Sequence, residues 1–155
     1  NMAKELDKYF IKILNTLGLC EAGSILYAAL AVSETPLTIQ QLKKHTRYSI
    51  PRLYSLLNTL KENGLVEKIK EDHTVSYRAN LNIIDLFEKR RQNIYENYLI
   101  PMLSYIETLP VNERESEHIQ KILNYMKMIE EYLNILRPNA ERLKRELIKK
   151  YNIIP

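Results

Sequence analysis

The stretch Ile50-Pro51-Arg52-Leu53-Tyr54-Ser55-Leu56-Leu57-Asn58-Thr59-Leu60-Lys61-Glu62-Asn63-Gly64-Leu65-Val66 decides the fold. Leu53, Leu57 and Leu60 recur at helical spacing, and Pro51 sits in the first turn, where an amide donor is not needed. Asn63-Gly64 then stops the helix. Directly after it the period changes from 3.6 to 2. Leu65-Val66-Glu67-Lys68-Ile69-Lys70 and Thr74-Val75-Ser76-Tyr77-Arg78 read as short strands around the polar turn Glu71-Asp72-His73.

Upstream, Thr35-Pro36-Leu37 breaks the chain, and Thr38 suits the N-cap of a short helix carrying Ile39 and Leu42. A polar connection from Thr46 to Ser49 joins that helix to the one starting near Ile50. Two earlier helices are expected. The first, Ala3 to Leu17, puts Leu6, Tyr9, Phe10, Ile13, Leu14 and Leu17 on one face and ends at Gly18. The second runs from about Glu21 to Ser33, with Ile25, Leu26, Ala29 and Leu30 inward. Helix, short strand, helix, turn, helix, hairpin is the order of a winged helix-turn-helix domain, expected over residues 3–80.

Residues 81–155 read as helical throughout. One helix spans about Ile83 to Glu107, with a kink or break expected near Pro101. Pro110 separates it from a second, roughly Glu113 to Leu136. There Ile119, Ile122, Met126, Ile129, Leu133 and Leu136 are spaced three and four apart, a coiled-coil-like seam expected to form a homodimer interface. Tyr125, Met128, Tyr132 and Ile135 form a second row with the same rhythm, so this helix has two surfaces to bury. After Pro138 a last helix, Asn139 to Tyr151, aligns Ala140, Leu143, Leu147 and Ile148. The fold class is mainly α, with a small β-hairpin wing and a helical dimerisation segment.

The pattern also carries a family resemblance. Leu17-Gly18-Leu19-Cys20-Glu21, then Tyr27 and Leu30, resembles the L-G-L-T-E…Y-x-x-L opening of the TrmB-like archaeal transcriptional regulators. Pro36-Leu37-Thr38-Ile39, with Arg52 to Val66, is similar to that family's helix-turn-helix core, R-V-Y-x-x-L-x-x-L-x-x-x-G-L-V. The MarR and PadR types are near relatives. The resemblance covers about residues 16–80 and implies a DNA-binding regulator. Cys20 replaces the family's threonine, a better N-cap. The chain ends too early for the sugar-binding domain of larger members, so the resemblance does not imply sugar sensing.

Composition excludes several classes. The 155 residues contain three glycines, Gly18, Gly23 and Gly64, too dispersed for a phosphate-cradling loop or dinucleotide turn. A lone Cys20 cannot build an intramolecular disulfide framework and suits a reducing compartment. The longest apolar stretch, Ala28 to Val32, falls far short of the about 18 residues of a membrane span, and no signal-peptide pattern opens the chain. The expected location is cytoplasmic, without membrane association. His45, His73 and His118 lack metal-ligand spacing, so no metal or other cofactor is expected. Without a nucleophile motif or a His–carboxylate pair, neither is catalysis.

The net charge of +4 acquires meaning from its location. Between Gln40 and Arg78 stand eight basic and four acidic residues, whereas the rest of the chain is balanced at 15 each. Double-stranded DNA is therefore the expected partner. Arg52, Ser55, Asn58, Thr59 and Glu62 fall on the outward side of the Ile50 helix, whose N-terminal half would enter the major groove. Arg47, Tyr48 and Ser49 flank it, and Lys43 and Lys44 lie where the preceding helix would cross the backbone. Lys68, Lys70, His73 and Arg78 place charge on the hairpin for minor-groove or phosphate contact. The alternative is a winged helix that docks another protein without DNA specificity. Six of the 11 tyrosines lie between Tyr95 and Tyr151. They read as interface or core residues, with a pocket for an unidentified small-molecule effector as the rival reading.

Overall fold

The computed structural model describes residues 2–81 and 83–153. The chain folds as two compact units, with the boundary between Ile83 and Ile84.

The first unit contains α1 (Met2–Thr16), α2 (Glu21–Ala31), β1 (Leu37–Thr38), α3 (Ile39–Thr46), α4 (Ile50–Glu62), β2 (Val66–Glu71) and β3 (Thr74–Ala79). Its centre is α2, packed by α1, α3, α4 and β3. Every residue from Leu26 to Leu30 on this helix is buried. Such all-round burial explains its Ala- and Leu-rich, nearly charge-free sequence. The Tyr27 hydroxyl donates to the Asn80 carbonyl at 2.6 Å, pinning the chain leaving β3 to the middle of α2. Burial pushes the Tyr27 phenol up to about 12.

Local chemistry sets the helix boundaries. Cys20 caps α2 despite its poor propensity, its Sγ accepting from the Gly23 amide at 3.3 Å. Thr38 begins α3 in a reciprocal capping box. Its hydroxyl accepts from the Gln41 amide, while the Gln41 side chain accepts from the Thr38 amide at 2.8 Å. Gly64, at φ 71°, makes the left-handed exit from α4 that a residue with a Cβ adopts only under strain.

The sheet is antiparallel with order β1-β3-β2. The two-residue β1 pairs Leu37 with Tyr77 and Thr38 with Ser76. The β2–β3 hairpin turns through Asp72 (φ 45°) and His73 (φ 67°), the doubly left-handed geometry that matches strand twist. Helices α2, α3 and α4 with this hairpin thus assemble as a winged helix.

The second unit contains α5 (Ile84–Ile94), a π-helical segment (Tyr95–Leu99), α6 (Ile100–Thr108), the short α7 (Val111–Arg114), α8 (Glu117–Leu136), a 3-10 turn (Arg137–Asn139) and α9 (Ala140–Lys150). The irregularity expected near Pro101 is a π turn. The turn before the proline widens, so that the Ile100 amide donates to the Tyr95 carbonyl five residues back. A π turn absorbs the lost donor and the ring's steric demand while α6 continues. The helix expected from Glu113 is also split: α7 ends at Arg114, and the Ser116 hydroxyl accepts from the Ile119 amide at the start of α8. Polar ties help to hold this unit. Lys144 on α9 pairs with Asp85 on α5 at 2.5 Å, and Arg91 pairs with Glu88 while donating to the Leu133 carbonyl on α8.

Two apolar stripes are redistributed relative to their helical spacing. On α1 only Leu14 is buried among the described side chains, Phe10 and Leu17 are half-buried, and Leu6, Tyr9 and Ile13 are exposed. On α8, which packs against α6 and the π segment, Ile119, Ile122, Met126 and Leu133 are half-buried within the chain. Ile129 and Leu136, expected in the same seam, are more exposed, at 36% and 42%. The second row, Tyr125, Met128, Tyr132 and Ile135, stands 58–64% exposed. The seam expected to meet another chain is partly used intramolecularly, and the free face of α8 is the neighbouring row. The two rows share one rhythm, so periodicity could not rank them.

Candidate nucleic-acid interface

The connection from α3 to α4 is built by short-range bonds. Thr46 Oγ1 donates to the Leu42 carbonyl at 2.8 Å and accepts from the Tyr48 amide at 3.2 Å. Arg47 closes α3 in the left-handed region (φ 62°), its amide reaching the Lys43 carbonyl at 2.8 Å. Ser49 Oγ accepts from the Arg52 amide at 3.4 Å, capping α4. This hydroxyl therefore has a structural duty beyond the contact expected of it.

Arg52 is exposed at the first turn of α4, and its guanidinium lies over the Tyr48 ring, 4.3 Å from the centroid. Such stacking leaves the planar donor edge available while limiting the rotamers to be frozen on binding. Buried Leu53, Leu57 and Leu60 fix the opposite side of the helix. Ser55, Asn58, Thr59 and Glu62 are exposed as expected, although the Thr59 hydroxyl back-bonds to the Ser55 carbonyl at 3.2 Å. Lys43 and Lys44 are exposed in the last turn of α3, where cations also suit the helix dipole.

Strand register sorts the hairpin charges. Glu67 is opposite Arg78, and Lys68 is opposite Tyr77. Because side chains alternate, Lys68 and Lys70 share one face and the Glu67–Arg78 pair the other. Arg78 is therefore not the free cation its position in the sequence suggests, since its guanidinium donates to Glu67 at 2.6 Å. His73 stands exposed at the hairpin tip.

Two further residues belong to this surface: Tyr54 and Lys61, both exposed on α4. Together with Asn58 they occupy positions i, i+4 and i+7. This stripe was available in the sequence, but what made it hard to find is that only the fold brings Lys68 and Tyr77 to it. These five residues, with Leu57 and Val66, line a crevice between α4 and the hairpin.

In the second unit, Tyr98, Tyr105, Tyr125 and Tyr132 are 63–66% exposed. Among the described residues, no three His, Cys, Asp or Glu side chains gather as metal ligands would, and no helix is long and apolar enough to cross a membrane.

Comparison with known proteins completes the picture. Residues 14–80 match the family model described as the sugar-specific transcriptional regulator TrmB. Among solved structures, one described as a transcriptional regulator superposes with a TM-score of 0.64 at 12% identity, over 96% of this chain and 99% of its own. MepR, a transcription regulator of the Staphylococcus aureus multidrug efflux pump MepA, gives 0.44 at 17% identity, over 84% and 93% respectively. Curated proteins provide no match. The first superposition supports the fold alone, while the family model reaches from the end of α1 through the hairpin: residues 14–80 fold as a winged helix and are similar to the TrmB transcriptional regulator family.

Proposed function

We propose that this chain is a sequence-specific, double-stranded DNA-binding transcription regulator that acts as a homodimer. Residues 3–80 serve as the DNA-binding domain and residues 81–155 as the dimerisation segment. In this reading α4 enters the major groove, α3 crosses the backbone with Lys43 and Lys44, and the β2–β3 wing lies on the minor groove or phosphates. The observation that carries it is Arg52, exposed at the start of α4 and braced over Tyr48 within the segment that holds the chain's basic surplus. A guanidinium so placed can donate bidentately to a guanine edge. The family's description as transcriptional regulators supports the same role.

Dimerisation is supported by the exposed Tyr125–Met128–Tyr132–Ile135 row on α8 and the exposed Leu6–Tyr9–Ile13 stripe on α1. Apolar rows of this length are ordinarily covered. Two copies would present two recognition helices to successive major grooves of a pseudo-palindromic site. No resident cofactor is needed for this function.

Selection of bound duplexes from a random pool tests the proposal, followed by the salt dependence of affinity on the winner. A recurrent sequence and a steep fall of affinity with salt are expected. Failure to bind any duplex at low salt, with another protein recovered instead, would replace it with the docking-module reading.

A further inference from the structure

The crevice between α4 and the wing has the chemistry of a phosphate seat. Its volume is about 80 Å³, and its polar lining is Tyr54, Asn58 and Lys61 from α4 with Lys68 and Tyr77 from the sheet. It shares Lys61, Val66 and Lys68 with a broader groove along β2 that also includes Lys70. The groove's single acid, Glu67, is occupied by Arg78. Neither Lys61 nor Lys68 has an ion-pair partner among the described residues.

Tyr77 adds a neutral donor to the two cations. The residue is only 5% exposed, but its hydroxyl oxygen is reached by solvent and has no protein hydrogen-bond partner among the described residues, so an acceptor entering the crevice can replace the water there. Burial raises the Tyr77 phenol above its usual range, and the neighbouring Tyr54 phenol raises it further, so Tyr77 remains a protonated donor at neutral pH.

The geometry points to one backbone phosphate of the bound duplex as the occupant, held by Lys61 and Lys68 and by the hydroxyl of Tyr77. This rests on the DNA-binding reading and adds to it a clamp that ties recognition helix and wing to the same phosphate. Two lysines supply charge, which tolerates any sequence, and the phenol donor fixes where the phosphate sits. The clamp would therefore set the register of α4 in the groove.

The test uses the full chain and a duplex selected from a random pool. Lys61→Gln and Lys68→Gln should each weaken binding with little change in the salt slope, because the remaining lysine still neutralises the shared phosphate. The double variant should lower the slope of log affinity by about one per half-site. Tyr77→Phe should weaken binding several-fold without lowering the unfolding temperature, since its hydroxyl is unpartnered in the free protein. Replacing phosphates singly with neutral methylphosphonates should reveal one position per half-site that penalises the wild type but not the Lys61→Gln/Lys68→Gln double variant. Wild-type slopes and affinities in all these variants would overturn the clamp and leave DNA binding standing. No duplex binding by the wild type would overturn both. Inorganic phosphate held at sub-millimolar affinity, with duplex binding indifferent to the variants, would reassign the seat to a free anion and overturn the clamp.

Discussion

The two units of this chain treat their apolar side chains differently. In the first, Leu14, Leu26, Tyr27, Leu30, Leu42, Leu53, Leu57, Leu60 and Leu65 are all buried, and the sheet closes over them. In the second, burial among the described residues is confined to Leu86, Leu99 and Ile106, and the 20-residue α8 has no fully buried side chain. A helix that long, carrying two apolar rows and burying neither completely, obtains little stability from its own chain. The difference teaches where self-sufficiency ends. The first unit encloses a core even though the outer stripe of α1 stays exposed, while the helical unit leaves an apolar row of α8 uncovered by its own chain.

The largest expected effect probes the closed unit. Leu53→Ala removes a fully buried side chain on the inner face of α4 and should cost about 2–5 kcal/mol, measured by denaturant unfolding. A cost near zero would show that the first unit is no better packed than the second. The open unit is tested by Tyr132→Glu on the exposed row. Sedimentation or light scattering should change from dimer to monomer at micromolar concentration, with helicity retained. Met126→Glu, on the half-buried row, should damage folding of the unit as well. If only Met126→Glu gives monomers, the dimer uses the row that α6 and the π segment partly cover.

Arg52→Ala separates recognition from general affinity. It should weaken specific binding by about 1–3 kcal/mol and relax one base preference. Equal losses on specific and random duplexes would assign Arg52 to phosphate. Tyr27→Phe should cost about 0.5–1.5 kcal/mol through the lost bond to Asn80. It also carries a pH signature. Because folding raises the phenol from about 10 to about 12, its stabilisation is fully present below pH 10 and is lost as pH rises through that window. The variant should therefore show a flatter alkaline limb than the wild type.

The smallest effect concerns Asp7 on α1. Its Oδ1 is buried without a hydrogen-bond partner, and burial raises the carboxyl pKa despite the opposing pull of His45. A raised acid favours the folded state below its unfolded pKa and loses that contribution as pH rises. Asp7→Asn should thus stabilise the protein slightly at neutral pH, within about 0.5 kcal/mol, and the gain should vanish under acid. An unchanged difference between acid and neutral pH would mean that the carboxyl does not feel its burial.

Much of the fold was legible because its signals are local. Thr38 before Ile39, Pro51 in the first turn, Gly64 after the last leucine and the switch of period at Leu65 each act within a few residues, and each appears where expected. The Pro101 signal was also local, but a proline states only that a donor and some space are lacking. The π turn that supplied the answer depends on the helix around it. The candidate interface was half legible. Arg52 and the α3 lysines follow from helical phase alone, whereas the hairpin charges depend on register.

Sequence alone determined the order of elements, their caps and breaks, the basic segment and the existence of two apolar rows on α8. Tertiary structure decided which row is half-covered, that Arg78 is paired while Lys68 is free, that the outer stripe of α1 remains bare, and that Tyr77 reaches Tyr54, Lys61 and Lys68 across a crevice. Periodicity and capping are properties of neighbouring residues, with energies set within a turn or two. Cover, pairing and clefts depend on which distant segment arrives opposite, and only the folded chain specifies that.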